Sequence, residues 1–284
     1  MFTYFELPGR DVKLTGYSWE CENPAYVLCI IHGIGEHDGR YDRLAGEMTK
    51  NGIAVLGMDL RGHGRSGGKR GDTAPRKAVL EDIDALLAYG EEKYPGLPIT
   101  LYGHSMGGNL VIDYRNRGNR NDLPAKYIIS APWIKLVRSV PRPLYVLVKG
   151  LAHLMPEFAM SSGCPKEYLG NPGNRDVDGY DRDELVHGRI TLRCAVDGYD
   201  TGNGFFDGTF ETNGRADGTP TLLMHGDADK ICSVDGSRAL AEQNRHNEAF
   251  TYIEWKGYYH EIHNGGPEAS GDKVIETIRD YIID

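Results

Sequence analysis

The stretch I-T-L-Y-G-H-S-M-G-G (Ile99–Gly108) decides the fold. Ile99 to Tyr102 reads as a short buried strand, and the residues from Met106 to Tyr114 read as a helix. Between them stands G-x-S-x-G, a strand–turn–helix elbow. The physics of that turn explains its glycines. Ser105 sits on a strained, sharp reversal, so the residues two before and two after it must be tiny, and Gly103 and Gly107 occupy those places. The turn lifts the Ser105 hydroxyl out at the carboxyl end of the strand. The new helix aims its N-terminal amides at the same point. Ser105 is thus a candidate nucleophile, and the Met106 N–H a candidate donor to an oxyanion.

Working outward, the same alternation recurs on both sides. Met1–Leu7 and Val12–Trp19 alternate apolar and polar residues around Pro8-Gly9, which predicts an antiparallel pair. Tyr26–Ile31 and Ile53–Asp59 are continuous apolar runs, the mark of strands buried on both faces. Lys126–Ile129, Thr221–Met224 and Phe250–Trp255 complete eight strands. Helices are predicted over Arg40–Asn51, around Val79–Leu87, from Arg238 to Asn244, and along the apolar face Val274, Ile278, Tyr281, Ile282. Strands alternating with helices imply an α/β chain with a mainly parallel sheet and helices on both faces. Pro132–Gly218 shows no recurring strand and reads as an insertion. The expected organisation is a single domain over 1–284, with a core of 1–131 and 219–284 and a lid or cap of about 132–218.

Composition narrows the function classes. The chain has 284 residues, with 32 Lys+Arg against 41 Asp+Glu and a net charge of −9. An acidic surface repels phosphate backbones, which argues against a nucleic-acid partner. Five widely spaced cysteines include no C-x-x-C, so neither a zinc site nor a disulfide framework is indicated. Free thiols fit a reducing compartment, and no basic-then-apolar leader is visible at the start, so a cytoplasmic location is expected. The histidines include no H-E-x-x-H, and no metal or other cofactor is expected. D-L-R-G-H-G-R-S-G-G (Asp59–Gly68) lacks phosphate-loop spacing and reads as a bracing loop. Glycine is in excess, 37 of 284 residues, against a usual share of roughly 7%.

A serine hydroxyl needs a histidine base, and the histidine needs an orienting carboxylate. On this type of sheet they follow in the order serine, acid, histidine. H-G-D-A-D-K-I (His225–Ile231) offers Asp227 and Asp229. W-K-G-Y-Y-H-E-I-H (Trp255–His263) offers His260 and His263. A second oxyanion donor comes from the loop I-I-H-G-I-G-E-H (Ile30–His37), where the Ile34 N–H is placed at a strand end.

Taken together, H-G-I-G-E-H-D-G-R-Y (His32–Tyr41), D-L-R-G-H-G-R-S-G-G, G-H-S-M-G-G, S-A-P-W (Ser130–Trp133), E-L-V-H-G-R-I-T (Glu184–Thr191), H-G-D-A-D-K-I and K-G-Y-Y-H-E-I-H-N (Lys256–Asn264) resemble the monoglyceride lipase and lysophospholipase branch of the α/β-hydrolases, also called serine aminopeptidase-like hydrolases. The resemblance spans nearly the whole chain and implies an α/β-hydrolase fold with an inserted lid. It implies Asp229 as the catalytic acid and His260 as the base, leaving Asp227 to cap its loop. It also implies a glycerol head-group pocket of Glu36, Arg40 and His263. The expected activity is hydrolysis of a carboxylic ester, with monoacylglycerol first, a lysophospholipid or short-acyl ester next, and a non-catalytic binding protein as the competing class. Leu144, Leu147, Val148, Leu151, Leu154 and Met155 form a helical stripe flanked by Lys135, Arg138, Arg142 and Lys149. It reads as a lid helix, with transient membrane or micelle contact as its second reading. The Gly-rich stretch Asp197–Gly218 has no counterpart in the family pattern. Oligomeric state is not readable from the sequence.

Overall fold

The computed structural model describes residues 2–173, 180–207, 210–268 and 270–284. Eight strands form one sheet: β1 (Thr3–Gly9), β2 (Val12–Trp19), β3 (Tyr26–Ile31), β4 (Ile53–Met58), β5 (Ile99–His104), β6 (Lys126–Ser130), β9 (Thr221–Gly226) and β10 (Phe250–Trp255). Their spatial order is β1-β2-β4-β3-β5-β6-β9-β10. β1 pairs antiparallel with β2 and β2 antiparallel with β4, while every later pairing is parallel. The expected eight-stranded, mainly parallel sheet is therefore present.

Alternation along the strands splits the core into two layers. Val27, Cys29 and Ile31 of β3 face α2 (Arg76–Lys93) and α3 (Met106–Arg117), meeting Val79, Ile83, Leu86, Leu110 and Val111. Leu28 and Ile30 face the other way, onto α1 (Asp42–Lys50) and α7 (Asp272–Ile283), meeting Leu44, Met48, Val274 and Ile278. Burying the apolar face of α7 ties the chain end to the sheet. Truncating one such residue, Ile278, to Ala would cost about 2–5 kcal/mol.

The segment between β6 and β9 departs from its sequence reading. It contains two three-residue strands, β7 (Ala159–Ser161) and β8 (Arg189–Thr191), paired antiparallel. Three residues are too few for alternation to register in a sequence. The Gly-rich stretch, which the sequence left without a place, is helical at its start: α5 spans Leu192–Asp207. Its glycines serve close packing, because a Cβ at Gly202 would lie 2.3 Å from the Ile134 carbonyl oxygen. Residues 208 and 209 of that stretch lie outside the described ones. α4 (Arg142–Leu154) buries none of its residues, and α6 (Val234–Gln243) lies between β9 and β10 in the chain. The predicted Arg40–Asn51 helix divides into a 3-10 turn, Asp38–Tyr41, followed by α1.

Candidate active site

Five loops meet at the carboxyl edge of the parallel strands, where open α/β sheets place their ligands. Between β5 and α3, Ser105 has φ 56° and ψ −118°, a left-handed conformation costly for a residue with a Cβ. Three main-chain hydrogen bonds hold it there: Ser105 N–H donates to Ser130 O (3.0 Å), and Ser105 O accepts from Asn109 (3.0 Å) and Trp133 (2.9 Å). The flanking glycines have no substitute. A Cβ at Gly103 would lie 2.4 Å from the Gly107 carbonyl oxygen, and one at Gly107 2.0 Å from that of Ile31.

His260, after β10, and Asp229, after β9, complete a line. His260 Nε2 is 2.8 Å from Ser105 Oγ, and Nδ1 is 2.6 Å from Asp229 Oδ2. A carboxylate only accepts, so Nδ1–H donates to Asp229 and Nε2 is left to accept the serine hydroxyl. Asp229 Oδ1 accepts from the Ile231 and Cys232 amides at 2.7 and 3.0 Å. Burial of Asp229 opposes its charge, but His260 and His225 outweigh it, and the carboxyl is held far below its usual range. Burial likewise works against a proton on His260. The Asp229 charge and hydrogen bond prevail, with Glu261 and Glu36 adding, and the imidazole is raised above 6.5. Asp227 instead accepts from the Gly257 amide (2.5 Å) and braces the loop, while His263 stacks on Tyr41.

The Ile30–His37 loop is held by the neighbouring Asp59–Gly68 loop. Leu60 N–H donates to His32 Nε2 (2.9 Å), so the His32 Nδ1–H donates to Gly33 O (2.7 Å). Arg61, in the same Asp59–Gly68 loop, grips buried Asp82 with two bonds of 2.7 and 2.8 Å. Ile34, Gly33 and Ser105 line one small cavity of about 20 Å³, room for a single water-sized group. Met106 opens α3, so its amide has no acceptor within the helix.

The expected head-group residues are only partly brought together. Glu36 and Arg40 line this cavity; His263 does not. Arg40 lies between two buried carboxylates, 2.6 Å from Glu36 and in a two-bond grip (2.8 and 3.0 Å) on Glu261. Glu36 Oε1 also accepts from Gly33 N–H (2.6 Å) and the Tyr41 hydroxyl (3.0 Å). Burial pushes Glu36 upward against the pull of Arg40, whereas Arg40 overcomes burial at Glu261 and holds it at about 2. His263 is stacked on Tyr41 at 5.1 Å, and burial lowers it to about 4, so at neutral pH it is an uncharged ring. The tight turn after His260 explains this: it sends Glu261 toward Arg40 and His263 behind Tyr41.

Residue-by-residue reading missed Glu261, Tyr180 and Cys164, which share the cavity wall. Glu261 had a signal, an acid next to His260 and two before His263, but nothing in its spacing pairs it with Arg40. A second, apolar cavity of about 300 Å³ lies beneath α4, lined by Trp133, Leu144, Val148, Met160, Ile190 and Tyr199 among others. On α4, Leu144, Val146, Leu147 and Leu154 are all at least half exposed. Among the described residues, no helix is long and apolar enough to cross a membrane.

Comparison with known proteins bears on the fold and the family. The family model for serine aminopeptidase, S33, matches residues 22–266. A monoacylglycerol lipase of Mycolicibacterium smegmatis is 30% identical over 269 residues, covering 92% of this chain and 89% of that protein. A phospholipase, YtpA, of Bacillus subtilis is 29% identical over 271 residues, covering 94% and 100%. An abhydrolase domain-containing protein of Dictyostelium discoideum is 31% identical over 259 residues; the match covers 91% of this chain but only 26% of that longer protein. The crystal structure of Paleococcus ferrophilus monoacylglycerol lipase superposes with a TM-score of 0.78 at 29% identity, covering 94% of this chain and 98% of that one. With the elbow, the eight-stranded sheet and the matched family model in agreement, the chain belongs to the serine aminopeptidase S33 family and is an enzyme of the serine-hydrolase type, in the monoglyceride-lipase branch of the α/β-hydrolases.

Proposed function

We propose that the protein hydrolyses a carboxylic ester of a lipid, a monoacylglycerol first, through an acyl-enzyme on Ser105. The observation that carries this is the Ser105–His260–Asp229 line at 2.8 and 2.6 Å. Ser105 Oγ attacks the ester carbonyl while His260 Nε2 takes its proton, and Asp229 orients the ring and stabilises the imidazolium. The Ile34 and Met106 amides receive the oxyanion. His260 then protonates the departing alkoxide. Water attacks the acyl-serine with His260 as base, which releases the fatty acid and restores the serine. No step calls for a cofactor.

The substrate's two ends have different surroundings. A cavity of about 20 Å³ cannot hold an acyl chain, whereas the apolar one of about 300 Å³ can. The alcohol side carries two carboxylates and one guanidinium, a setting that suits hydroxyl groups and repels a phosphodiester. This favours a glycerol monoester over a lysophospholipid. The segment of about 132–218 serves as the lid of a single domain. The unburied apolar residues of α4, beside cationic Lys135, Arg138 and Arg142, suit transient contact with an anionic membrane or micelle surface. Five free cysteines fit a cytoplasmic setting.

Fluorophosphonate labelling and a substrate panel test the reading. Labelling that disappears in Ser105→Ala supports it, and a folded wild-type protein that does not label favours a non-catalytic binder. Undiminished turnover by Ser105→Ala overturns the mechanism. Glu36→Gln is expected to depress monoacylglycerol turnover more than p-nitrophenyl ester turnover; equal losses would remove the glycerol pocket.

A further inference from the structure

We infer that Trp133, seated on Gly198, is the gauge of acyl-chain length, with Gly198 setting how far the indole intrudes into the apolar cavity; this rests on the esterase reading above. Trp133 is the residue that connects nucleophile and cavity. Its backbone N–H donates to the Ser105 carbonyl at 2.9 Å, while its side chain lines the apolar cavity under α4. The loop position is not adjustable. Buried Asn109, on the nucleophile helix, donates to the Trp133 carbonyl (2.7 Å) and to the Gly198 carbonyl (3.2 Å). One side-chain amide thus ties the elbow helix, the loop after β6 and the inserted helix α5 into one frame.

Within that frame the indole lies against Gly198 with no space between. A Cβ at Gly198 would stand 2.7 Å from Cζ3 and 2.8 Å from Cη2 of Trp133. The neighbouring residues Ala195, Val196 and Tyr199 of α5 line the same cavity, so a ring displaced from Gly198 moves away from α5 and takes up cavity space. Gly198 lies in a helix, where alanine is a better former than glycine. A loss on adding its methyl group is therefore a contact effect, not a helix-propensity effect. The glycine excess in this stretch, unexplained by the catalytic turns, acquires a role: at position 198 it leaves the indole room to lie flat.

The test measures kcat/KM of the full-length protein on p-nitrophenyl esters from acetate to dodecanoate, each value divided by that variant's own acetate value. In wild type the ratio rises about fourfold per methylene seated in the cavity, and then stops rising at the length that fills it. Gly198→Ala is expected to move that break to a shorter chain, and Trp133→Ala to a longer one. The double variant is expected to break where Trp133→Ala does, because no indole remains for the added methyl group to displace. Trp133→Phe, which keeps an aromatic ring, is expected to break between wild type and Trp133→Ala and carries the comparison if the alanine variant does not fold. The inference is overturned if the break is the same in all variants. It is equally overturned if Gly198→Ala shortens the chain as much without the indole as with it. A break that stays put in an active wild-type background defeats this inference alone. Absence of ester turnover in wild type, or turnover undiminished in Ser105→Ala, defeats the esterase reading and this inference with it.

Discussion

Replacing Glu261 by Gln removes one negative charge from a buried cluster in which a single guanidinium faces two carboxylates. Glu261 binds Arg40 by two bonds, 2.8 and 3.0 Å long, with the Arg40 and Glu261 side chains 9% and 2% exposed. Breaking a buried pair on one side costs about 3–5 kcal/mol. Glu36, 2.6 Å from Arg40, keeps the cation partly compensated, which places the expected loss near the lower end. Proton linkage gives the same size independently. Glu261 is held at about 2 against 4.5 in the unfolded chain, because Arg40 outweighs its burial. That difference corresponds to about 3 kcal/mol of stability. The sign follows from the depressed value: the contribution is complete above pH 4.5 and is lost as pH falls toward 2. By pH 3.5 part of it, on the order of 1 kcal/mol, should be gone. Urea unfolding of wild type and Glu261→Gln at pH 7 and pH 3.5 reads both quantities. The variant should be about 3 kcal/mol less stable at pH 7, with the gap narrowing at the lower pH. A gap below about 1 kcal/mol at pH 7, the size of an exposed pair, or one of constant size between the two pH values, would refute the reasoning.

Four further outcomes are expected. The acid limb of kcat/KM should fall above 6.5, since burial lowers His260 but the Asp229 charge raises it further, and the base must be neutral to act. Neutralising Asp229 as Asn should reduce turnover by about 10⁴-fold, the effect of losing an orienting carboxylate, and move that limb to lower pH; a limb that stays in place would contradict the pairing. Gly107→Ala should cost about 3 kcal/mol or more and yield little soluble protein, because its Cβ would meet the Ile31 carbonyl oxygen at 2.0 Å. Leu147→Asp with Leu151→Asp, at positions 58% and 37% exposed, should leave stability within about 0.5 kcal/mol per site while reducing co-sedimentation with phosphatidylglycerol-containing vesicles; unchanged co-sedimentation would remove membrane contact from the role of α4.

The strand–turn–helix elbow and the eight strands were legible in the sequence because each is a local matter. A strand buried on both faces must be an apolar run, as Tyr26–Ile31 is. The Ser105 turn must be flanked by glycines, because its neighbours approach to within 2.4 Å of where a Cβ would lie. Long helical periods were legible for the same reason, whereas the three-residue strands Ala159–Ser161 and Arg189–Thr191 carry too little pattern to register.

Pairings between residues far apart in the chain belong to the tertiary structure. Sequence placed Glu36 and Arg40 in one loop, but only the fold brings Glu261, 221 positions beyond Arg40, to share the guanidinium. His263 stands three residues after His260 in the chain, yet whether it faced the cavity or the core depended on the path of one turn, and the turn stacks it on Tyr41. The glycines of the inserted helix show the same division. Their number was visible in the sequence; that Gly198 lies beneath the Trp133 indole, 65 residues away, required both segments to be docked on α3 by Asn109. Composition and period express what each residue needs from its neighbours along the chain, while contact across the chain is set by how the layers pack.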